Sequence, residues 1–146
     1  MAHIRPEKYI WLDGKMVPWN ESHVHFLTHS LHYGLAAFEG IRAYVQHGNP
    51  AKGAIFRLNE HTDRLFDSCK LCLIDVPYTR EQINEACLET MRQNGLQAAY
   101  LRPLVFLGDG AMGLGAMDPP VRVGVAAYVW GRYLGDEGIA KGIRAK

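Results

Sequence analysis

Arg64, Tyr100 and Arg102 are the side chains whose type and setting could hold an anion, and each also has an ordinary reading. Arg64 follows Glu60 by four residues and precedes Asp67 by three, so on a helix it would pair with either at the surface, for roughly a few tenths of a kcal/mol. Tyr100 and Arg102 stand two residues apart and share one strand face, as they would in any amphipathic strand with an exposed arginine. Gly40 lies between Phe38 and Arg42 on a second such face. A glycine weakens a strand unless something must approach the backbone closely. A ligand against that face, a bulge or a packing contact would each account for it.

Three further signals carry less. Cys69-Lys70-Leu71-Cys72 is a CxxC, but there is no second one and both sulfurs fall on the apolar face of a helix. That reads as core cysteine rather than zinc or a redox pair. His23, His25, His29 and His32 have no carboxylate at ligand spacing in HVHFLTHSLHYG, which favours loop and turn hydrogen bonds over a metal site. GDGAMGLG, from Gly108 to Gly115, lacks the GKS or GKT ending of a phosphate loop, and no clear helix follows it. No metal site is read from the sequence.

Periodicity and turn chemistry predict the elements that position these residues. Tyr9 to Trp19 reads as a hairpin around Asp13-Gly14, with Pro18 at an edge or at the strand's end. Asn20 to Gly34 is polar and His-rich and is expected as loop and turn. The strand that follows, as far as Tyr44, places Ala37, Glu39, Ile41 and Ala43 on one face and Phe38, Gly40, Arg42 and Tyr44 on the other. VQHGNPAKG reads as a loop and AIFRL as a short strand.

Asn59 is the expected N-cap of a helix running to about Leu73, with Leu65, Cys69 and Cys72 on its buried face. Thr79 and Gln82 form a capping box that opens a second helix, which buries Ile83, Ala86, Cys87 and Met91 and stops at Asn94-Gly95. Ala98 to Leu107 is strand-like, with Pro103 marking an edge or a bulge. Gly108 to Pro120 is a long loop, Val121 to Trp130 a buried strand, Gly131 to Gly142 turn-like, and Ile143 to Lys146 the start of a further strand. Two principal helices among five or more hairpin-joined strands predict an α+β fold with a mainly antiparallel sheet.

Composition narrows the function classes. A chain of 146 residues is one domain's worth, and 48% hydrophobic with 21% charged residues is ordinary for a globular protein. A net charge of +1 and a pI near 7.8 argue neither for a nucleic-acid partner nor for an acidic membrane surface, and neither partner is expected. No apolar run approaches the ~20 residues that span a bilayer. MAHIRPEKYIW has no apolar stretch after its basic residues, so it does not read as a secretory signal. Three cysteines, an odd number, give no disulfide framework, and a cytoplasmic location is expected.

YIWLDGKMVPW, HSLHYGLAAFEGIRAY, FRLNEHTDRLFDS, AAYLRPLVFLGDGAMG and YVWGRYLG, in that order, resemble a branched-chain amino-acid aminotransferase. These are pyridoxal-phosphate enzymes of fold type IV, the D-amino-acid-transaminase-like family. The likeness covers nearly the whole chain, while complete enzymes of the family are considerably longer. The resemblance therefore implies that residues 1–146 are the N-terminal small domain of such an enzyme.

It also implies roles. Arg64, in Glu60-His61-Thr62-Asp63-Arg64-Leu65, matches the arginine that binds the cofactor phosphate, a task suited to the rigid bidentate fork of a guanidinium. Tyr100 would help hold the substrate α-carboxylate, and Arg102 would receive the distal carboxylate of glutamate or 2-oxoglutarate. Phe38, Gly40, Trp130 and Tyr133 would make the apolar wall. Tyr33 and Leu114 would reach the pocket of the neighbouring subunit.

Transamination needs a lysine to form the Schiff base and an acidic partner for the pyridine nitrogen. By the resemblance both lie downstream, and neither Lys141 nor Lys146 matches the motif, so no catalytic residue is expected in this chain. Pyridoxal 5'-phosphate is the implied cofactor. Amino acids and 2-oxo acids, a missing C-terminal domain and a homo-oligomer, dimer or hexamer, are the implied partners. Two other readings stay open: a D-amino-acid transaminase or aminodeoxychorismate lyase of the same fold, and a free-standing binding or interaction domain.

Overall fold

Asp13 and Gly14 both take positive φ, 48° and 92°, which gives the two-residue turn the twist that hairpins favour. Strand β1 (Tyr9–Leu12) accordingly pairs with β2 (Lys15–Pro18), as expected. Pro18 ends the outermost strand, where a missing N–H is tolerated. The computed structural model describes residues 4–115, 118–131, 138 and 140–142.

The loop expected over 20–34 contains more structure than that. A 3-10 turn spans Trp19–Glu21 and a short helix, α1, spans His29–Tyr33. Five residues are too few for a hydrophobic period to show. Tertiary bonds hold α1 instead: Ser30 Oγ donates to Leu35 O at 2.5 Å and accepts from Leu107 N–H at 2.8 Å, and His29 N–H donates to Gly108 O at 2.9 Å. Gly34 closes the helix in the left-handed region at φ 74°.

The expected strand to Tyr44 is interrupted into β3 (Ala36–Phe38) and β4 (Ile41–Gln46). Both pair with β6 (Ala99–Leu107) in one continuous register, Phe38 opposite Leu104 and Ile41 opposite Leu101, which sets Glu39 against Pro103 and Gly40 against Arg102. Glu39 N–H donates to Pro103 O at 3.0 Å, but Pro103 has no N–H to return. One missing ladder bond accounts for the interruption. Side-chain alternation survives it, with Ala37, Glu39, Ile41 and Ala43 all buried as predicted. The sequence predicts an edge or a bulge at Pro103. The residue lies instead in an interior strand whose register is unbroken on both sides.

Two other boundaries move. Residues 45–53, expected as a loop, form a hairpin: β4 turns at His47-Gly48, with Gly48 at φ 81°, into β5 (Asn49–Ile55). The short strand expected over Ala54 to Leu58 is thus only the end of β5. Helix α2 (Leu58–Leu71) starts after Arg57 at φ 50°, and no side chain caps it. Asn59 is inside the helix, where its Oδ1 accepts from Asn84 Nδ2 at 2.9 Å. Helix α3 (Arg80–Asn94) follows prediction closely. Thr79 Oγ1 accepts from Gln82 N–H at 3.3 Å, Gln82 Oε1 accepts from Thr79 N–H at 2.8 Å, and Gly95 ends the helix at φ 66°.

With β7 (Val121–Tyr128) these elements make a seven-stranded sheet in the order β2-β1-β7-β6-β4-β5, β3 also lying on β6, with every pair antiparallel. The α+β class is as expected. Helices α2 and α3 cover one face, where Leu65, Cys69, Ile83, Cys87 and Met91 pack on Ile41, Leu101, Val105, Val123 and Val125. Cys69 is in this core and Cys72 packs against it, in keeping with the core reading of the CxxC. The opposite face is covered only in part, by the 22–31 segment, which leaves a cavity over Ile10, Leu12, Leu104, Phe106 and Ala126. The turn and strand expected over 131–146 fall mostly outside the described residues.

Candidate functional site on the open sheet face

Strand alternation delivers Phe38, Gly40 and Arg42 from β3 and β4, Tyr100 and Arg102 from β6, and Tyr128 from β7 to the open face, since Gly40 opposes Arg102 and Tyr100 opposes Tyr128. The Arg102 guanidinium lies 4.3 Å from the centre of the Phe38 ring and its Nη2 donates to Tyr100 Oη at 3.0 Å. Its Nε is buried with no acceptor among the described residues, and no carboxylate pairs with it there. Arg102 also forms one end of an apolar cavity of about 390 Å³ walled by Ile10, Leu12, Leu104, Phe106 and Ala126. A buried N–H without an acceptor is costly.

Around Arg102 the aromatic groups are ordered. Tyr100 meets Trp130 edge-on at 4.8 Å between ring centres and Tyr128 at 5.7 Å. Arg42 Nη1 and Nη2 donate to the carbonyls of Trp130 and Gly131 at 2.9 and 3.3 Å, tying the chain after β7 down beside β4. Burial pushes the Tyr128 hydroxyl pKa up, with Arg102 and Arg42 opposing and Tyr100 reinforcing the shift. Phe38 is 56% exposed, a large apolar ring presented to whatever covers this face. Over Gly40 stands the Tyr100 hydroxyl, so the glycine's neighbour within the chain is a packing contact.

Arg64 has neither of the helix partners that its spacing predicted. Its Nε and Nη2 donate to Glu39 Oε1 and Oε2 at 2.6 and 2.8 Å, from helix α2 to the junction of β3 and β4. His61 Nδ1 donates to Glu39 Oε2 at 2.8 Å. Burial would raise the Glu39 pKa, but the hydrogen bonds and charges of Arg64 and His61 outweigh it and hold the carboxyl below its usual range. Arg64 lines a shallow depression with Arg57, Glu60 and His61, whereas the cavity at Arg102 is on the other face of the sheet. The two arginines are linked through the backbone of Glu39 and Gly40, not through a common cavity.

Tyr33 and Leu114 stand apart from this group. His29 stacks on Tyr33 with 4.5 Å between ring centres, and its Nε2–H donates to Gly113 O at 3.1 Å, which fastens the glycine-rich loop to α1. Leu114 is 90% exposed at the tip of that loop. The histidines make loop bonds as expected: His25 Nδ1 accepts from Leu27 N–H at 3.1 Å and His32 Nε2–H donates to Phe26 O at 2.9 Å. Tyr133 lies outside the described residues.

Sequence reasoning missed Glu39, His61 and Arg42 as site residues. The signal for Glu39 was present, because a carboxylate alternating with Ala37, Ile41 and Ala43 on a buried face needs a cation. His61 and Arg64, three apart on one helix, share a face and could supply it.

A family model for amino-transferase class IV matches residues 36–145, and the chain belongs to that family. Over 94% of its length the chain is similar to the branched-chain-amino-acid aminotransferases of Pseudomonas aeruginosa, at 48% identity, and Escherichia coli K12, at 44%. The chain spans about 44% of the length of those curated relatives. Its structure matches that of the E. coli branched-chain amino acid aminotransferase with a TM-score of 0.83 and 43% identity, over 90% of this chain and 43% of that one. A second solved branched-chain amino acid aminotransferase, complexed with N-(5'-phosphopyridoxyl)-L-glutamate, matches with a TM-score of 0.81 and 40% identity, over 88% of this chain and 42% of that one.

Proposed function

We propose that this chain is the small-domain, substrate-side half of a branched-chain amino-acid aminotransferase. The whole enzyme moves the amino group between leucine, isoleucine or valine and 2-oxoglutarate through pyridoxal 5'-phosphate. The observation that carries the reading is Arg102, a guanidinium that pairs with no carboxylate among the described residues and forms one end of an apolar cavity. A site that takes both an alkyl side chain and an acidic one needs such a pair of features.

The residues present fit the cofactor's anionic end. Arg64 binds Glu39 through Nε and Nη2, so Nη1 and the second Nη2 proton remain for phosphate oxygens. Tyr100 holds the substrate α-carboxylate, Arg102 the distal carboxylate, and Phe38, Trp130 and Tyr133 exclude water around the alkyl group, while Gly40 leaves room for the Tyr100 hydroxyl. Tyr33 and Leu114, exposed on α1 and the glycine-rich loop, reach a neighbouring subunit's pocket in a dimer or hexamer. Pyridoxal phosphate supplies the electron sink for loss of the Cα proton. The lysine and the acid it needs come, on this reading, from a second domain, which the chain's span of about 44% of its curated relatives supports. No described helix is long and apolar enough to cross a membrane, and a cytoplasmic enzyme is the corresponding proposal.

The test is turnover by the full-length protein. Leucine with 2-oxoglutarate should yield glutamate, and D-alanine should not replace leucine. Turnover of D-alanine, or pyruvate release from aminodeoxychorismate, with none of leucine would overturn the assignment.

A further inference from the structure

We propose that Glu39, braced by His61, is the positioning residue for Arg64: it grips the Nε–Nη2 edge of the guanidinium so that the Nη1–Nη2 end faces a phosphate. The inference rests on the reading of Arg64 as the phosphate ligand and adds what aims it. Four observations support it. The Arg64 side chain is 67% exposed and, left alone, would sample many rotamers, yet both of its contacts go to one carboxylate. That carboxylate is only 4% exposed and accepts three donors, two from Arg64 and one from His61, so its orientation is set from three sides. The nearby Arg57 is engaged by Glu60 at 2.9 Å and leaves Glu39 to Arg64 and His61.

The fourth observation is the backbone. Glu39 sits where Pro103 withholds a ladder bond, held by its own N–H on Pro103 O at 3.0 Å, with Phe38 and Gly40 on either side facing the opposite way. One residue thus joins the phosphate anchor on the helix side of the sheet to the substrate wall on the open side. A phosphate ligand and a substrate pocket on opposite faces need such a link to keep a fixed separation.

Equilibrium binding of pyridoxal 5'-phosphate and of pyridoxal to the full-length apoprotein isolates the phosphate contribution as the ratio of the two affinities. Glu39→Gln should lower that ratio about tenfold and leave pyridoxal binding unchanged. The same change made in Arg64→Ala should add nothing. His61→Leu should lower the ratio, and His61→Asn, whose amide N–H replaces Nδ1–H, should restore it. An unchanged ratio in Glu39→Gln, or an undiminished effect in the Arg64→Ala background, overturns the inference. If Glu39→Gln does not fold, the His61 pair decides, and no change in either variant overturns it. Arg64→Ala with an unaltered ratio would instead refute Arg64 as the phosphate ligand.

Discussion

The Tyr100 hydroxyl stands over Gly40, in the space that a side chain there would need. The two residues come from different strands, β4's approach and β6, and their packing sets where Tyr100 meets Arg102 Nη2 at 3.0 Å. A side chain at this position would force the Tyr100 ring to shift, and with it the bond to Arg102.

Gly40→Ala should therefore destabilise the full-length protein by about 1–3 kcal/mol, the ordinary cost of overpacking. Adding Tyr100→Phe should recover part of the loss by removing the oxygen nearest the new methyl. Urea unfolding of both variants checks this. An equal cost in both backgrounds would show that the clash is not with the hydroxyl.

Glu39 predicts an acid limit. Its carboxyl pKa is lowered in the folded protein because Arg64 and His61 outweigh burial, so its contribution to stability is complete above the ordinary carboxylate range, about 4.3, and is lost as the pH falls through the folded value. Exposure of Arg64 weakens the effect through solvent screening. Thermal unfolding at falling pH should show a steeper loss in wild type than in Glu39→Gln. Parallel curves would contradict the pairing.

The thiols should separate by reactivity. Burial, with Cys72 adding to it, pushes Cys69 up to about 11, and burial pushes Cys87 up to about 12. Near neutral pH neither holds a useful fraction of thiolate. In the native protein an alkylating reagent should label Cys72 first, and Cys69 and Cys87 only on unfolding, read by peptide mass spectrometry. Equal native labelling of all three would contradict the core assignment of the CxxC.

What was legible in the sequence was local. Asp13-Gly14 and the Thr79–Gln82 box state their own turn and cap, and alternation from Ala37 to Ala43 held even across a broken strand. What was not legible depended on partners far away in the chain. The partner of Arg64 is 25 residues distant, beyond the reach of any helix-spacing rule. Pro103 reads as an edge signal until Glu39 is seen opposite it. Strand β5 is exposed and rich in Gly, Pro and Lys, so its composition resembles a loop, and only pairing with β4 makes it a strand. At the site, the family resemblance, not residue type or spacing, assigned Arg102 and Tyr100 to carboxylates and Phe38 to an apolar wall. Their mutual contacts, and Arg42's hold on Trp130, required the fold.

The most direct measurement is the Michaelis constant of the full-length Arg102→Met variant for 2-oxoglutarate and for leucine, determined side by side. A charge-assisted contact to the distal carboxylate that the alkyl substrate does not use should raise the 2-oxoglutarate KM about tenfold or more while that for leucine moves little. Equal increases for both substrates would contradict the role of Arg102.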